Sequence, residues 1–155
     1  MITKPKFWQI PTPSDADFAA LDDKIITLHE RLRQIDSQHS QVKFASSLAV
    51  EDMVITDALV NIGAKIEVFT LETGRLNAET LALIDVVKTC YPDLNFKLYH
   101  PIDTAVDEYV KTQGLNAFYD SVDARKQCCF IRKVEPLNRA LPHADAWLPG
   151  QRRAQ

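Results

Sequence analysis

Short apolar runs that alternate with stretches of helical periodicity constrain this chain more than any other feature. Val42–Ala45, Ile66–Thr70 and Asn95–Tyr99 are predicted strands, and Ala144–Leu148 is a candidate fourth. The stretches from about Glu51 to Ile62, Ala78 to Cys90, Thr104 to Gln113 and Lys126 to Ala140 read as helices, with Pro136 expected to kink or end the last. Strands separated by helices of this length imply βαβ units. The predicted fold is therefore α/β, a doubly wound and mostly parallel sheet. Its ligand site is expected at the carboxyl ends of the strands, where the loops after each strand gather along one edge.

Upstream, Pro5, Pro11 and Pro13 mark an irregular arm, and Ser14 with Asp17 forms an approximate capping box. Leu21, Ile25, Leu28, Leu32 and Ile35 then recur at spacings of 4, 3, 4 and 3, the stripe of an amphipathic helix that ends near Asp36–Gln41. Neither an internal repeat nor a linker divides the 155 residues. The expectation is one domain over 1–155, an arm and helix in 1–40 and a core in 41–155. With 46% hydrophobic and 25% charged residues, a chain this long can bury roughly 68–70% of its unfolded surface in one core. No apolar run approaches the ~20 residues of a membrane span, and Met1–Ile10 lacks the apolar core of a signal peptide. The expected compartment is the cytoplasm, with no membrane partner.

Charge is unevenly placed. Residues 1–124 hold 11 Lys and Arg against 19 Asp and Glu, whereas residues 125–155 hold 7 against 2. Such a cationic segment suits a small anionic ligand or an acidic partner, or is a solvated basic face. It is too short and too poor in interleaved aromatics for nucleic acid.

Four segments carry the chemistry. Phe44–Asp52 passes from a strand through Ser46 and Ser47 directly into a helix, so hydroxyls and helix-start amides could hold phosphate or sulfate oxygens. A plain capped turn reads the same way, and the segment lacks the glycines and lysine of a Walker loop. In Phe69–Leu76, Gly74 permits a sharp exit from the strand. Arg75 there is either an anion-binding guanidinium at the site edge or the partner of Glu79 on a helix face. In Gln127–Leu137, Cys128 and Cys129 stand side by side among Lys126, Arg132 and Lys133, neighbours that lower a thiol pKa. Adjacent cysteines would close only a strained disulfide, so they read as reduced thiols or metal ligands. A cubane iron–sulfur cluster needs four thiolates. The third cysteine, Cys90, falls at helical spacing with Leu83 and Val87 and reads as core packing. In Trp147–Gln155 a Pro-Gly turn precedes Arg152 and Arg153, an anion-gripping loop or a loose terminus. His29, His39, His100 and His143 show no metal-ligand spacing.

Together these segments resemble the assimilatory sulfonucleotide reductases, whose fold is that of the adenine nucleotide α-hydrolases and PP-loop ATP pyrophosphatases. Phe44–Asp52 is similar to their modified phosphate loop, Phe69–Leu76 to their (D/E)TGR segment, Cys128–Leu137 to their CC-x-x-R-K-V-E-P-L stretch, and Trp147–Gln155 to the start of their arginine-rich loop. Within that family the tandem cysteines mark the cluster-bearing adenylyl-sulfate (APS) reductases, while enzymes acting on the 3′-phosphorylated substrate (PAPS) lack them. The resemblance implies thioredoxin- or glutaredoxin-dependent reduction of APS to sulfite and AMP in sulfate assimilation and cysteine biosynthesis. A cysteine thiolate attacks the sulfate sulfur, AMP leaves, and the electron donor releases sulfite from the S-sulfocysteine.

By motif, the resemblance places Ser46 and Ser47 at the phosphosulfate and the Leu71 backbone beside adenine. It sets Lys133 between cluster and substrate, a supporting role in catalysis. Arg75, Arg152 and Arg153 add positive charge, and Cys128 and Cys129 become two ligands of a [4Fe–4S] cluster. Departures are Ala49 and Val50 in place of Gly-Ala, Pro149 in place of Thr, and Ala154 in place of an acid. The family continues beyond the equivalent of Gln155 with a C-x-x-C pair and the nucleophilic cysteine, so the chain is read as the N-terminal portion of a reductase, truncated at its C-terminus. Alone it is expected to be inactive and to hold no complete cluster, and an uncovered apolar face or sheet edge could drive homo-oligomerisation. The alternatives are a PAPS reductase, an adenylyl transferase of the ATP pyrophosphatase type, and a non-catalytic nucleotide-binding module. Against the second, Ser46–Asp52 reads SSLAVED where such loops run S-G-G-x-D-S.

Overall fold

The computed structural model describes residues 12–151. Its elements follow the alternation. After α1 (Asp15–Ala19) and α2 (Leu21–Gln38) come β1 (Val42–Ala45), α3 (Val50–Asn61), β2 (Glu67–Leu71), α4 (Ala78–Cys90) and β3 (Phe96–Tyr99). Then follow α5 (Asp103–Gln113), a 3-10 turn (Ala117–Tyr119), α6 (Val122–Cys129), a π-turn (Phe130–Val134), α7 (Glu135–Ala140) and β4 (Ala146–Pro149). All strand pairs are parallel, in the order β3-β2-β1-β4. The chain thus winds outward from β1 through β2 to β3 and returns on the other side of β1 with β4. That reversal is the switch point at which open α/β sheets bind ligands.

Partners in register share a face, so Val42, Phe44, Val68, Ala146 and Leu148 point one way. They meet Leu32 of α2 and Ala58 and Leu59 of α3 in the main core, where Phe44 and Val68 are wholly buried. Ile84 and Val87 of α4 extend that layer over Phe96 and Leu98. The opposite face carries Lys43, Glu67 and Lys97 and packs against α7, whose Pro136 and Ala140 are buried. Here Glu67 pairs with Lys43 at 3.1 Å and Lys97 at 2.6 Å, and the Lys43 ammonium also donates to the Ala140 carbonyl. The two faces thus differ in chemistry, apolar under α2 and α3 and ionic under α7. Asp145 joins the starts of β1 and β4 by accepting from the Ser40 and Gln41 amides at 2.8 and 2.9 Å.

The Ser14–Asp17 capping box forms as expected, but the helix breaks at Ala20 into α1 and α2. Only Leu32 of the five-residue stripe is fully buried, while Leu21 and Ile25 are exposed. α2 meets the main core through Leu28, Leu32 and Ile35. Cys90 also departs from expectation. Val87 fills the core, but the last residue of α4 lies in solvent, so Cys90 is an exposed thiol and not core packing. The proline arm falls largely outside the described residues. The helix expected near Lys126 runs unbroken from Val122 to Ala140. Pro136 does not end it: the π-turn of Phe130–Val134 leads directly into α7.

Candidate functional site

The loops after β1 and β2 enclose a cavity of about 270 Å³ lined by Ala45, Ser46, Ser47, Phe69, Thr70, Leu71, Thr73, Leu76, Thr80 and Lys133. It sits at the carboxyl ends of two central strands, with α4 on one side and the π-turn on the other. The family resemblance implies a common site for Ser46, Ser47, Leu71 and Lys133, and all four line this cavity.

The β1–α3 turn is tightly built. The Ser46 amide donates to the Phe69 carbonyl at 2.8 Å, and the Ser46 carbonyl accepts from the Thr70 hydroxyl at 2.9 Å, so the turn is clamped to β2. The Ser46 hydroxyl accepts from the Leu48 amide at 3.1 Å. Leu48 holds φ 63, a left-handed backbone disfavoured for leucine, and its side chain is buried against Ile84 and Val87. The position compared with a family glycine, Ala49, has an ordinary extended φ of -70, so the turn's demand for a positive φ falls one residue earlier. Ser47 is committed internally. Its amide and hydroxyl both reach Asp52 Oδ2, at 2.5 and 2.6 Å. Asp52 is itself buried, and its Oδ1 has no hydrogen-bond partner among the described residues. Gly150, after β4, approaches so closely that a β-carbon there would stand 1.5 Å from Oδ1.

The β2–α4 loop is shaped by a residue that the motif reading counted only as a charge. Arg132 is buried, and its Nη1 donates to the Thr73 carbonyl at 2.8 Å. Gly74, at φ 70, leaves room for it, since a β-carbon there would lie 3.0 Å from the same nitrogen. That the arginine of the R-K pair is the buried member has no sequence signal beyond its place on the inner side of a helix. Lys133, its neighbour, is exposed and lines the cavity, with neither a hydrogen bond nor an ion pair among the described residues. Arg75 does not line the cavity. Its guanidinium donates to Asn116 Oδ1 at 3.0 Å and lies 5.2 Å from the Phe118 ring centroid, which also sets aside the Glu79 pairing. Arg152 and Arg153 lie outside the described residues.

Cys128 and Cys129 are free thiols at the end of α6, one turn before Lys133. Cys128 is half-buried against the cluster of Tyr109, Ala117 and Ala124, whereas Cys129 is exposed. Among the described residues no three His, Cys, Asp or Glu side chains converge on a metal position. Two thiols are half of what a cubane cluster takes, so the described residues by themselves make no cluster site.

A family model, the phosphoadenosine phosphosulfate reductase domain, matches residues 41–155, the stretch that carries the cavity and both cysteines. The chain belongs to the phosphoadenosine phosphosulfate reductase family. Within that family it is homologous to the adenosine 5′-phosphosulfate reductases. It is 51% identical over 152 residues to the adenosine 5′-phosphosulfate reductase of Neisseria meningitidis serogroup B, covering 98% of this chain and 62% of that protein. With the Burkholderia cepacia enzyme of the same name it shares 54% over 132 residues, 85% of this chain and 52% of that one. The chain thus spans between half and two thirds of the length of these relatives. In structure it is similar to the phosphoadenylyl-sulfate reductase of Candida auris, solved as a phosphate complex. The TM-score is 0.69 at 20% identity, over 92% of this chain and 70% of that one, a likeness of fold. No helix among the described residues is long and apolar enough to cross a membrane.

Proposed function

We propose that the protein reduces adenylyl sulfate to sulfite and AMP with thioredoxin or glutaredoxin as electron donor, and that these 155 residues supply its nucleotide pocket. The observation that carries the reading is the Lys133 ammonium, without a hydrogen bond or ion pair among the described residues, on a cavity lined by the β1–α3 and β2–α4 turns. The identity to named APS reductases supports it independently. The apolar wall of Ala45, Phe69, Leu71 and Leu76 suits an adenine ring, and strand-end backbone at Leu71 can read its edge. Lys133 stabilises the charge that builds on the phosphosulfate bridging oxygen as the sulfur–oxygen bond breaks. The nucleophilic thiolate, which becomes an S-sulfocysteine, comes from outside these residues. A dithiol donor then supplies two electrons, releases sulfite and leaves as a disulfide. Cys128 and Cys129 would be two of the four thiolate ligands of a [4Fe–4S] cluster, the other two coming from outside these residues.

Calorimetry with AMP and APS tests the pocket. Both should bind, and Lys133→Ala should weaken APS by about 10- to 100-fold, the loss of one charge-assisted hydrogen bond. Equal affinity for wild type and variant overturns the role of Lys133. Sulfite release from APS by the isolated 155 residues overturns the view that the nucleophile lies elsewhere, and pyrophosphate release from ATP favours an adenylyl transferase.

A further inference from the structure

We propose that Arg132 is a positioning residue for this anion site, tying the Thr73 carbonyl to the π-turn and so holding the adjacent Lys133 ammonium on the cavity. The proposal rests on the reading above for the identity of the ligand, and on the geometry alone for the tether. Arg132 is 8% exposed and faces a carbonyl, and no carboxylate pairs with it among the described residues. A buried guanidinium without a counter-charge is costly, whereas the exposed Arg139, seven residues on, pairs with Glu135 at 2.6 Å. The β2–α4 loop accommodates Arg132 closely, with a glycine where a β-carbon would crowd Nη1.

The helix accommodates it as well. Pro136 has no N–H to give the Arg132 carbonyl its α-helical bond, and the Glu135 amide instead reaches back five residues to the Phe130 carbonyl. An α-helix would set residues 132 and 133 about 100° apart. The wider turn narrows that angle, so a buried side chain on Thr73 and an exposed one on the Thr73-lined cavity come from consecutive positions. Widened turns of this kind often occur at functional sites.

Four variants test this, with AMP affinity read by calorimetry and exchange of the Gly74 and Arg75 amides read by mass spectrometry. Arg132→Met keeps length without donor or charge. It should weaken AMP about 10-fold and speed amide exchange. Arg132→Lys, with charge and one donor, should recover most of both, which a packing role does not predict. Lys133→Ala should cost less in the Arg132→Met background than in wild type. Wild-type affinity in Arg132→Met, or full additivity with Lys133→Ala, overturns the proposal. If Arg132→Met does not fold, Pro136→Ala replaces it: Arg132 stays and the π-turn relaxes, so unchanged AMP affinity again overturns it. A wild-type chain that binds no AMP defeats the functional reading, while the amide exchange still decides the tether.

Discussion

Gly150 meets the Asp52 carboxylate where no side chain fits, because a β-carbon would overlap Oδ1. Gly150→Ala is therefore expected to destabilise the domain by about 1–3 kcal/mol, the usual range for overpacking. In a chain of this size that lowers the melting temperature by several degrees, readable by calorimetry. A second expectation concerns acid. Burial alone would raise the Glu67 pKa, but hydrogen bonds from Lys97 and Lys43 outweigh it and hold the carboxyl below its ordinary value. A group depressed in the folded state stabilises it above the unfolded pKa and loses that contribution as pH falls through the folded one. Stability should thus decline below about pH 4, and Glu67→Gln should lower stability at neutral pH and flatten that decline in urea titrations. Asp145, depressed first by the Ser40 amide, keeps part of the slope. Residues of this kind explain what sequence could and could not disclose. Ser46, Ser47, Leu71 and Lys133 sit at strand ends or in a distinctive motif, so their convergence was legible. The partners of Arg75 and Arg132 lie 41 and 59 residues away, and nothing in local chemistry encodes them.

Strands were legible to within one or two residues, since each apolar run is closed by a turn former, whereas the helix expected from about Lys126 begins four residues earlier, at Val122. β1 and α4 match their expected bounds, and β2, β3 and β4 shift by one or two residues. What periodicity could not reveal was how much of a helix its neighbours cover. α2 repeats apolar residues along its length, but α3 and the sheet meet only part of it. The consequence is measurable: Leu32→Ala should cost about 2–5 kcal/mol, and Leu21→Ala, at a 46% exposed site, well under 1 kcal/mol. Comparable losses in urea titrations would show α2 packed differently. The π-turn was equally hidden. Proline usually predicts a break, and here the preceding hydrogen bond spans one residue more instead, with helical residues following one another from Val122 to Ala140.

At the scale of the molecule, the sheet and its two helical layers set the cavity at the carboxyl ends of β1 and β2, where the proposed nucleotide would lie, and a four-thiolate cluster would take two thiols more than Cys128 and Cys129 offer. Reconstitution of these 155 residues with iron and sulfide should give no [4Fe–4S] species that survives gel filtration. A stable one would mean that the cysteines find partners among these residues. The strand order carries a further implication for biosynthesis. Asp145 bonds to the Gln41 amide across 104 positions, and of the described strands β4 emerges last while its mate emerges first. On the ribosome β1 must therefore wait, its flank bare, until nearly the whole stretch has left the exit tunnel. Such long-range closure slows folding, and an unpaired strand invites mispairing. Nascent chains stalled before Leu141 should thus be the ones that chaperones hold.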